Sequence, residues 1–255
     1  MLNPQDVELI GTGRHGDPFS VLGPHAQEGG TSIRAFLPGA RQVEVLDACS
    51  GHPIGRLEKQ QADGFLEVLL TLPAPAVYGL QVQWGNYQTA WVEDPYRFGP
   101  VLGEMDVWLL SEGTHLRPYE ILGANARQMN GVDGTSFAVW APNAARVSVV
   151  GDFNLWDGRR HPMRFRRECG VWEIFLPGVA TGARYKFEIL AADGQLLPAR
   201  ADPYARQAEL RPATASIVAA MPARTPPSEL RKQANALDAP MSIYEVHPGS
   251  WRRIH

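Results

Sequence analysis

The sequence lacks several features, and each absence excludes a class of protein. Its 255 residues contain no run of about 18 apolar residues, so we expect no membrane-spanning helix. Lys and Arg total 24 against 27 Asp and Glu, a net charge of −3, and no basic stripe is present to neutralise a phosphate backbone. We therefore expect neither a membrane nor a nucleic acid as a partner.

Cysteines and targeting signals are also scarce. Cys49 and Cys169 are the two cysteines, and their wide separation matches no metal or redox spacing. We predict two buried free thiols rather than a disulfide. The first residues lack the basic and apolar regions of a signal peptide, which predicts a cytoplasmic protein. No cysteine or carboxylate cluster accompanies His15 or His115, so no metal site is predicted.

Long amphipathic helices are missing, and short apolar runs alternate with turns. The 25 glycines and 21 prolines fall between these runs, which is typical of a protein built from many short strands. In SFAVWAP (136–142) the side chains alternate, so one face of a strand is buried. We expect Trp140 of this segment to pack in the core or between domains. The best helical candidate is SELRKQANAL (228–237).

The chain repeats itself. HGDPFSVLG (15–23) aligns with HLRPYEILG (115–123), and TSIRAFLPGARQVEVL (31–46) aligns with TSFAVWAPNAARVSVV (135–150). Similarity at a nearly constant offset predicts tandem copies of one module. Because each copy is a series of alternating strands, the fold class predicted is all-β, with two tandem immunoglobulin-like β-sandwiches.

The repeat assigns structural roles to paired residues. His15 and His115 occupy equivalent positions, which favours a fold-level role such as a turn or cap. Asp94 and Asp202 begin the DPY segments of the two copies, and we predict Asx-type turns there rather than catalytic acids.

The composition changes after the second copy. We place the first module at 1–110, the second at 111–220 and a linker rich in Ala and Pro at 221–240. Residues 241–255 begin MSIYEVH, which is typical of a buried strand. Because a lone strand cannot bury both of its faces, we expect the chain to be a fragment.

Four motifs resemble the N-terminal part of bacterial 1,4-α-glucan (glycogen) branching enzymes. They are HGDPFSVLGPH (15–25), FAVWAPNAARVSVVGDFNLWDGRRHPM (137–163), ADPYA (201–205) and YEVHPGSWRR (244–253). The resemblance implies that the first module is the extra N-terminal module of some branching enzymes and that the second is a carbohydrate-binding module of family 48. It also implies that 241–255 is the truncated start of the (β/α)₈ barrel of glycoside hydrolase family 13.

The resemblance implies an activity for the complete enzyme. Such an enzyme cleaves an α-1,4 linkage and transfers the severed chain to a 6-hydroxyl, using a carboxylate nucleophile and a carboxyl acid/base. Those carboxyls belong to the barrel, so no catalytic residue is expected in this chain, which should be inactive alone. No metal or organic cofactor is implied. The implied partners are α-glucan, as glycogen or maltooligosaccharide, and the catalytic barrel.

The GDFNLW turn supplies the candidate binding residues. In family 48 modules the tryptophan of this turn stacks on glucose, which implies that role for Trp156. The resemblance also implies sugar contact for Lys186, and Asn154 would orient the turn or bond a hydroxyl. The alternative is that Trp156 caps the sandwich or packs on the barrel. Leu196 stands where glycogen-binding relatives carry a second tryptophan. The aromatic platform on which sugar stacks therefore has one of its two faces missing.

Other readings stay open at this point. The chain could be a stand-alone glucan-binding protein, or the N-terminus of a debranching enzyme or of a maltooligosyltrehalose trehalohydrolase. An adhesion-type sandwich without a sugar role is a further alternative. The duplicated module and GDFNLWDGRRHPM (151–163) favour branching. The corresponding turn of the first module, VLDACSGHPIG (45–55), has no aromatic residue, so we predict a structural first module. Arg159 and Arg160 are predicted to form a solvated basic corner, with contact to acidic groups of the barrel as the alternative.

Overall fold

The chain forms a β-rich compact unit followed by a shorter second unit. The computed structural model describes residues 2–60, 63–71, 77–85, 87–223, 225–234 and 236–247. Met1–Met221 make up the first unit and Pro222–His255 the second. The helices are α1 (Pro4–Gly11), α2 (Glu104–Glu112) and α3 (Glu229–Gln233). None of the helices in the described residues is long and apolar enough to cross a membrane.

The first module is one antiparallel sheet of seven strands in the order β1-β2-β5-β4-β3-β6-β7. Alternation along β3 buries Val43 and Val45 in a core that belongs to this module alone. The strands are β1 (Gly23–Gln27), β2 (Gly30–Phe36), β3 (Ala40–Asp47), β4 (Pro53–Lys59), β5 (Phe65–Leu70), β6 (Tyr78–Trp84) and β7 (Thr89–Val92).

The second module is a sandwich of two four-stranded antiparallel sheets. Their orders are β10-β13-β15-β14 and β11-β12-β9-β8. Phe137 and Trp172 from one sheet lie in the same core as Val147 and Phe187 from the other. The strands are β8 (Gly123–Met129), β9 (Val132–Trp140), β10 (Ala144–Gly151), β11 (Arg164–Arg166), β12 (Val171–Pro177), β13 (Arg184–Ala191), β14 (Gln207–Ala208) and β15 (Ser216–Ile217). The all-β prediction is therefore confirmed.

One corner distinguishes the two copies. In the first module a short turn joins β3 to β4, and β4 pairs with both β3 and β5, so the sheet is continuous. In the second module β11 pairs with β12, while β10 contacts the segment between β10 and β11 through an isolated bridge between Ser148 and Pro162. The longer segment at 151–163 therefore separates the sheet into two.

The paired histidines play the same part in both copies. His15 Nδ1 accepts a hydrogen bond from the Asp17 amide, and His115 Nδ1 accepts one from the Arg117 amide, each at 3.1 Å. The Nε2 atoms face Asp6 and Asp106 at 3.5 and 3.1 Å, one on α1 and one on α2. The predicted fold-level role is confirmed, since each imidazole ties a helix to the turn that follows it.

The DPY aspartates also repeat their contacts. Asp94 Oδ1 accepts from the Tyr96 amide at 2.9 Å, and Asp202 Oδ1 accepts from the Tyr204 amide at 2.8 Å, which confirms the predicted Asx turns. The other carboxylate oxygen in each copy accepts from a buried tyrosine hydroxyl, Tyr78 at 2.6 Å and Tyr185 at 2.5 Å.

The helices at the start of each copy were not predicted. Asn3 caps α1 by accepting from the Gln5 amide, and Val7 and Ile10 bury one face of the helix. The predicted helical segment at 228–237 contains only the five residues of α3, beginning after the Ser228 cap.

The two modules share a core. Phe65 and Tyr96 of the first module belong to the same buried cluster as Phe137 and Trp172 of the second. Arg160 Nη2 donates to the Pro38 carbonyl at 3.0 Å, which corrects the prediction of a solvated corner at this residue. Both modules lie in one compact unit, and the boundary predicted near residue 110 stays a prediction.

Three further expectations need correction. Trp140 is 64% exposed, so it does not pack in the core, although Ala138 on the same face of β9 is covered by residues around α2; its packing between domains stays a prediction. Cys49 is exposed, so only Cys169 is a buried thiol, and both are free. Residues 241–247 do not adopt strand conformation, whereas 248–255 lie outside the described residues.

Candidate functional site

The GDFNLW turn follows β10 and holds two bulky residues in an unusual backbone conformation. Leu155 and Trp156 both have φ of 59°, in the left-handed region that side chains other than glycine rarely adopt. Asn154 fixes the turn: its Oδ1 accepts from the Gly151 amide and its Nδ2 donates to the Val149 carbonyl, each at 2.9 Å. A strained backbone conformation persists only where the surrounding contacts stabilise it, and such conformations are concentrated at functional sites.

Trp156 is held by its edge and is only partly covered. Its side chain is 39% exposed, and its indole Nε1 donates to Asp152 Oδ1 at 3.0 Å. Asp152 Oδ2 accepts from Arg184 Nε at 2.7 Å. These two donors, Arg184 first, lower the pKa of Asp152, so the carboxylate stays ionised and keeps the indole edge in place. The sandwich does not enclose this indole.

Three charged side chains lie at every second residue along the outer face of β13. Arg184, Lys186 and Glu188 share this face, while Tyr185 and Phe187 between them are buried in the core. Lys186 Nζ donates to Thr214 Oγ1 at 2.7 Å. The β10 to β13 pairing sets Lys186 opposite Val150, beside the start of the turn. The strand therefore places a lysine ammonium on the same surface as the turn.

A pocket of about 360 Å³ adjoins the indole. The walls include Trp156, Glu188 and Leu196, together with Arg14 from the segment after α1. Glu188 Oε1 accepts from the buried Arg146 at 2.7 Å, so this floor of the pocket is a fixed ion pair. An aromatic side chain, a carboxylate and a guanidinium thus line one concave space, which offers a stacking face beside hydrogen-bonding groups.

Gly158 lies close to Glu188 at one wall of this pocket. A Cβ at position 158 would meet the Glu188 carboxylate, so a larger residue there would displace that side chain. Arg146 Nη1 also donates to the Gly158 carbonyl at 2.9 Å. The turn and the Arg146–Glu188 pair are therefore one rigid assembly.

The structure corrects one predicted site residue. Asn154 is 3% exposed; its Oδ1 accepts from the Gly151 amide, and both N–H donors of its Nδ2 are used by the Val149 carbonyl and His161 Nδ1. A buried amide with both donors occupied does not reach solvent to bond a sugar hydroxyl. Asn154 orients the turn, which was the other half of the prediction, and it is not a glucan-contacting residue.

The remaining predicted positions are brought to one surface. Trp156 and Lys186 lie on the same side of the module, and Leu196, at the position of the missing second aromatic, faces into the Trp156 pocket. Sequence reasoning missed Arg184 and Glu188, although their spacing of two from Lys186 on a strand could have indicated them. It also missed Arg14, whose place depends on packing between the modules.

Two family models match the chain. Residues 3–96 match the N-terminal domain of alpha-1,4-glucan branching enzyme GlgB. Residues 121–205 match carbohydrate-binding module 48, the isoamylase N-terminal domain. The chain is thus a tandem of accessory β-sandwich modules, one of them a carbohydrate-binding module. Together the two matches support an N-terminal portion of a glycogen branching enzyme.

Solved pullulanase structures show a weaker similarity. Pullulanase from Anoxybacillus sp. LM18-11 complexed with maltotetraose is 15% identical, covers 88% of this chain and has a TM-score of 0.33. Pullulanase type I from Bacillus subtilis str. 168 complexed with maltose is 17% identical, covers 78% of this chain and has a TM-score of 0.33. The chain spans only 28% and 26% of the length of these two structures.

Proposed function

We propose that this chain is the glucan-binding, non-catalytic portion of a branching enzyme. The complete cytoplasmic enzyme cleaves an α-1,4-glucan chain and transfers it to a 6-hydroxyl, as a hexosyltransferase of glycogen biosynthesis. The match of residues 3–96 to a branching-enzyme domain favours branching over debranching or trehalose release. The proposed partners are α-glucan and the catalytic barrel, and the chain alone is proposed to be inactive.

One observation supports glucan binding above the others. Trp156 is partly exposed at the rim of a family 48 module, and a hydrogen bond from its own edge to Asp152 fixes its orientation. Sugar rings stack their C–H faces on an indole and need polar partners around the edge. Lys186 supplies a donor on that surface, where its ammonium also donates to the Thr214 hydroxyl.

We predict that Trp156→Ala weakens binding of β-cyclodextrin or glycogen about tenfold, the effect of losing one stacking face. Titration calorimetry on the whole chain measures this, starting from an affinity on the order of millimolar for a small single-face site. The matched control is Trp140→Ala, which removes an exposed indole from the other sheet and is expected to bind as wild type.

Two outcomes would contradict the proposal. Equal heats for wild type and Trp156→Ala would remove the indole from the binding role and favour the alternative that it packs against another domain. Equal losses in Trp156→Ala and Trp140→Ala would indicate a non-specific aromatic effect.

A further inference from the structure

The segment after α1 reaches from the first module to the turn that carries Trp156. The α1 residues Val7 and Ile10 are buried in the core shared with the second module, which anchors the helix. Gly13 then adopts φ of 66°, and a Cβ there would lie 2.9 Å from Arg159 Cγ. This close approach seats the residue that follows, Arg14, against the second module.

Arg14 faces the pocket without a protein partner. Its side chain is exposed, and no acceptor in the described part of the chain bonds its guanidinium. Its Nη1 lies 4.0 Å from where a Cβ of Gly194 would stand, in the turn that leads to Leu196. The guanidinium therefore lies on the Leu196 side of the pocket, where glycogen-binding relatives carry their second tryptophan.

The other charges around this pocket are paired. Arg146 bonds Glu188 at 2.7 Å, and Arg159 forks the Asp157 carboxylate at 2.9 and 2.8 Å. Arg14 is thus the arginine of this pocket that forms no ion pair among the described residues, while Glu188 lines the same pocket and keeps acceptor capacity beyond its bond to Arg146. A neutral ligand with neighbouring hydroxyls satisfies both, because each hydroxyl can accept from Arg14 and donate to Glu188.

We propose that the glucan site is shared by both modules, with Arg14 and Glu188 binding the hydroxyls of a glucose unit that stacks on Trp156. The inference rests on the proposed glucan-binding function and assigns a direct binding role to the first module. The planar guanidinium suits vicinal hydroxyls, since it presents parallel N–H donors. The pocket volume of about 360 Å³ is at the small end for ligand sites, which fits one or two sugar rings.

The test is titration of β-cyclodextrin and maltotetraose into the whole chain carrying Arg14→Ala, Arg14→Lys or Arg56→Ala. We expect Arg14→Ala to weaken binding about five- to tenfold, as for loss of a charged hydrogen-bond donor. Arg14→Lys should not restore the affinity, because a single ammonium cannot span two hydroxyls. Arg56 is an exposed arginine on β4 outside the pocket, so Arg56→Ala is expected to match wild type.

The outcomes separate this inference from the proposed function. If Trp156→Ala weakens binding and Arg14→Ala does not, the shared site is overturned while the glucan site stands. If no variant differs from wild type, both are overturned. Thermal unfolding of Arg14→Ala is expected to match wild type, since the side chain is exposed. If Arg14→Ala unfolds at a lower temperature than wild type, Arg14→Lys distinguishes a packing role from a hydroxyl-binding role, because lysine keeps the side-chain stem.

Discussion

At the residue scale, the most informative pair is Asp94 and Asp202. Each carboxylate closes a turn and accepts from a buried tyrosine, so a hydrogen-bonded unit occurs once per module. Burial raises the pKa of Asp94 to about 6, and it also raises the pKa of Asp202, against the opposing effect of the hydrogen bonds. The cost of burying the ionised carboxyls therefore makes the folded chain most stable where they are protonated, although the hydrogen bonds themselves favour the ionised form.

We predict that Asp94→Asn flattens the pH dependence of stability. A raised pKa means that the folded chain holds this proton more tightly, so the stabilisation is complete below about pH 4 and is lost as the pH rises towards 6. For a shift of about two units the loss is about 3 kcal/mol. Asparagine keeps an acceptor for the Tyr96 amide but does not titrate.

Urea unfolding of wild type and Asp94→Asn at several pH values between 4 and 7 measures the difference. The free energy of unfolding of the variant should lose less across this range. Asp202→Asn, the counterpart in the second copy, should change the slope in the same direction. Parallel pH profiles for wild type and Asp94→Asn would show that the carboxyl does not carry the effect.

At the element scale, the segment 151–163 is the part of the fold that makes one copy different from the other. It replaces a tight turn with a longer one, and β10 is then covered by an irregular stretch in which the Met163 amide donates to the Val147 carbonyl at 2.8 Å. Asn154 and His161 hold this segment from inside. Burial, helped by the nearby Arg160, lowers the pKa of His161 to about 4, so the imidazole stays neutral and its Nδ1 accepts from Asn154 at 2.9 Å.

We predict that Asn154→Ala both destabilises the chain and weakens glucan binding. Removing the amide leaves the Gly151 amide and the Val149 carbonyl without their side-chain partner, at a cost of about 1–3 kcal/mol. The left-handed conformation at Trp156 then loses its support. Denaturant unfolding and calorimetry on the same variant check both effects. Trp156→Ala is the companion, expected to lose affinity with little loss of stability. An Asn154→Ala chain with normal affinity would mean that the turn holds its shape unaided.

The sequence predicted the elements that recur, and the reasons are local. Alternation in β9 and β13, the DPY turns and the paired histidines all depend on residues close together in the chain or repeated at a fixed offset. The eight- and nine-residue helices α1 and α2 were not predicted, because neither is long enough to show a clear helical period. The contribution of Arg14 to the pocket was not predicted for another reason. It depends on how the two modules pack against each other, and no local sequence pattern encodes that packing.

At the scale of the whole molecule, the two modules form one folding unit because they share a hydrophobic core. Phe65 of β5 is fully buried in the same cluster as Met163 and Val149 of the second module. Tyr96 donates to the Pro162 carbonyl at 3.3 Å across the same boundary. Neither module can therefore unfold without exposing apolar surface of the other.

We predict a single cooperative unfolding transition for residues 2–221, with Phe65→Ala lowering the stability of both modules together. Truncating a buried phenylalanine typically costs about 3–5 kcal/mol. Amide hydrogen exchange measures the effect strand by strand, and protection should fall in β9 and β12 as well as in β2 and β5. Faster exchange confined to the first module would contradict the shared core.

The two thiols differ in a way that has practical value. Cys49 lies in the short turn between β3 and β4, in the first module, whose turn has no counterpart of Trp156, and it is exposed to solvent. Cys169 is buried, and burial raises its pKa, which disfavours the reactive thiolate. A maleimide dye or a surface tether will therefore attach at a single position, and the module that bears Trp156 stays chemically unmodified.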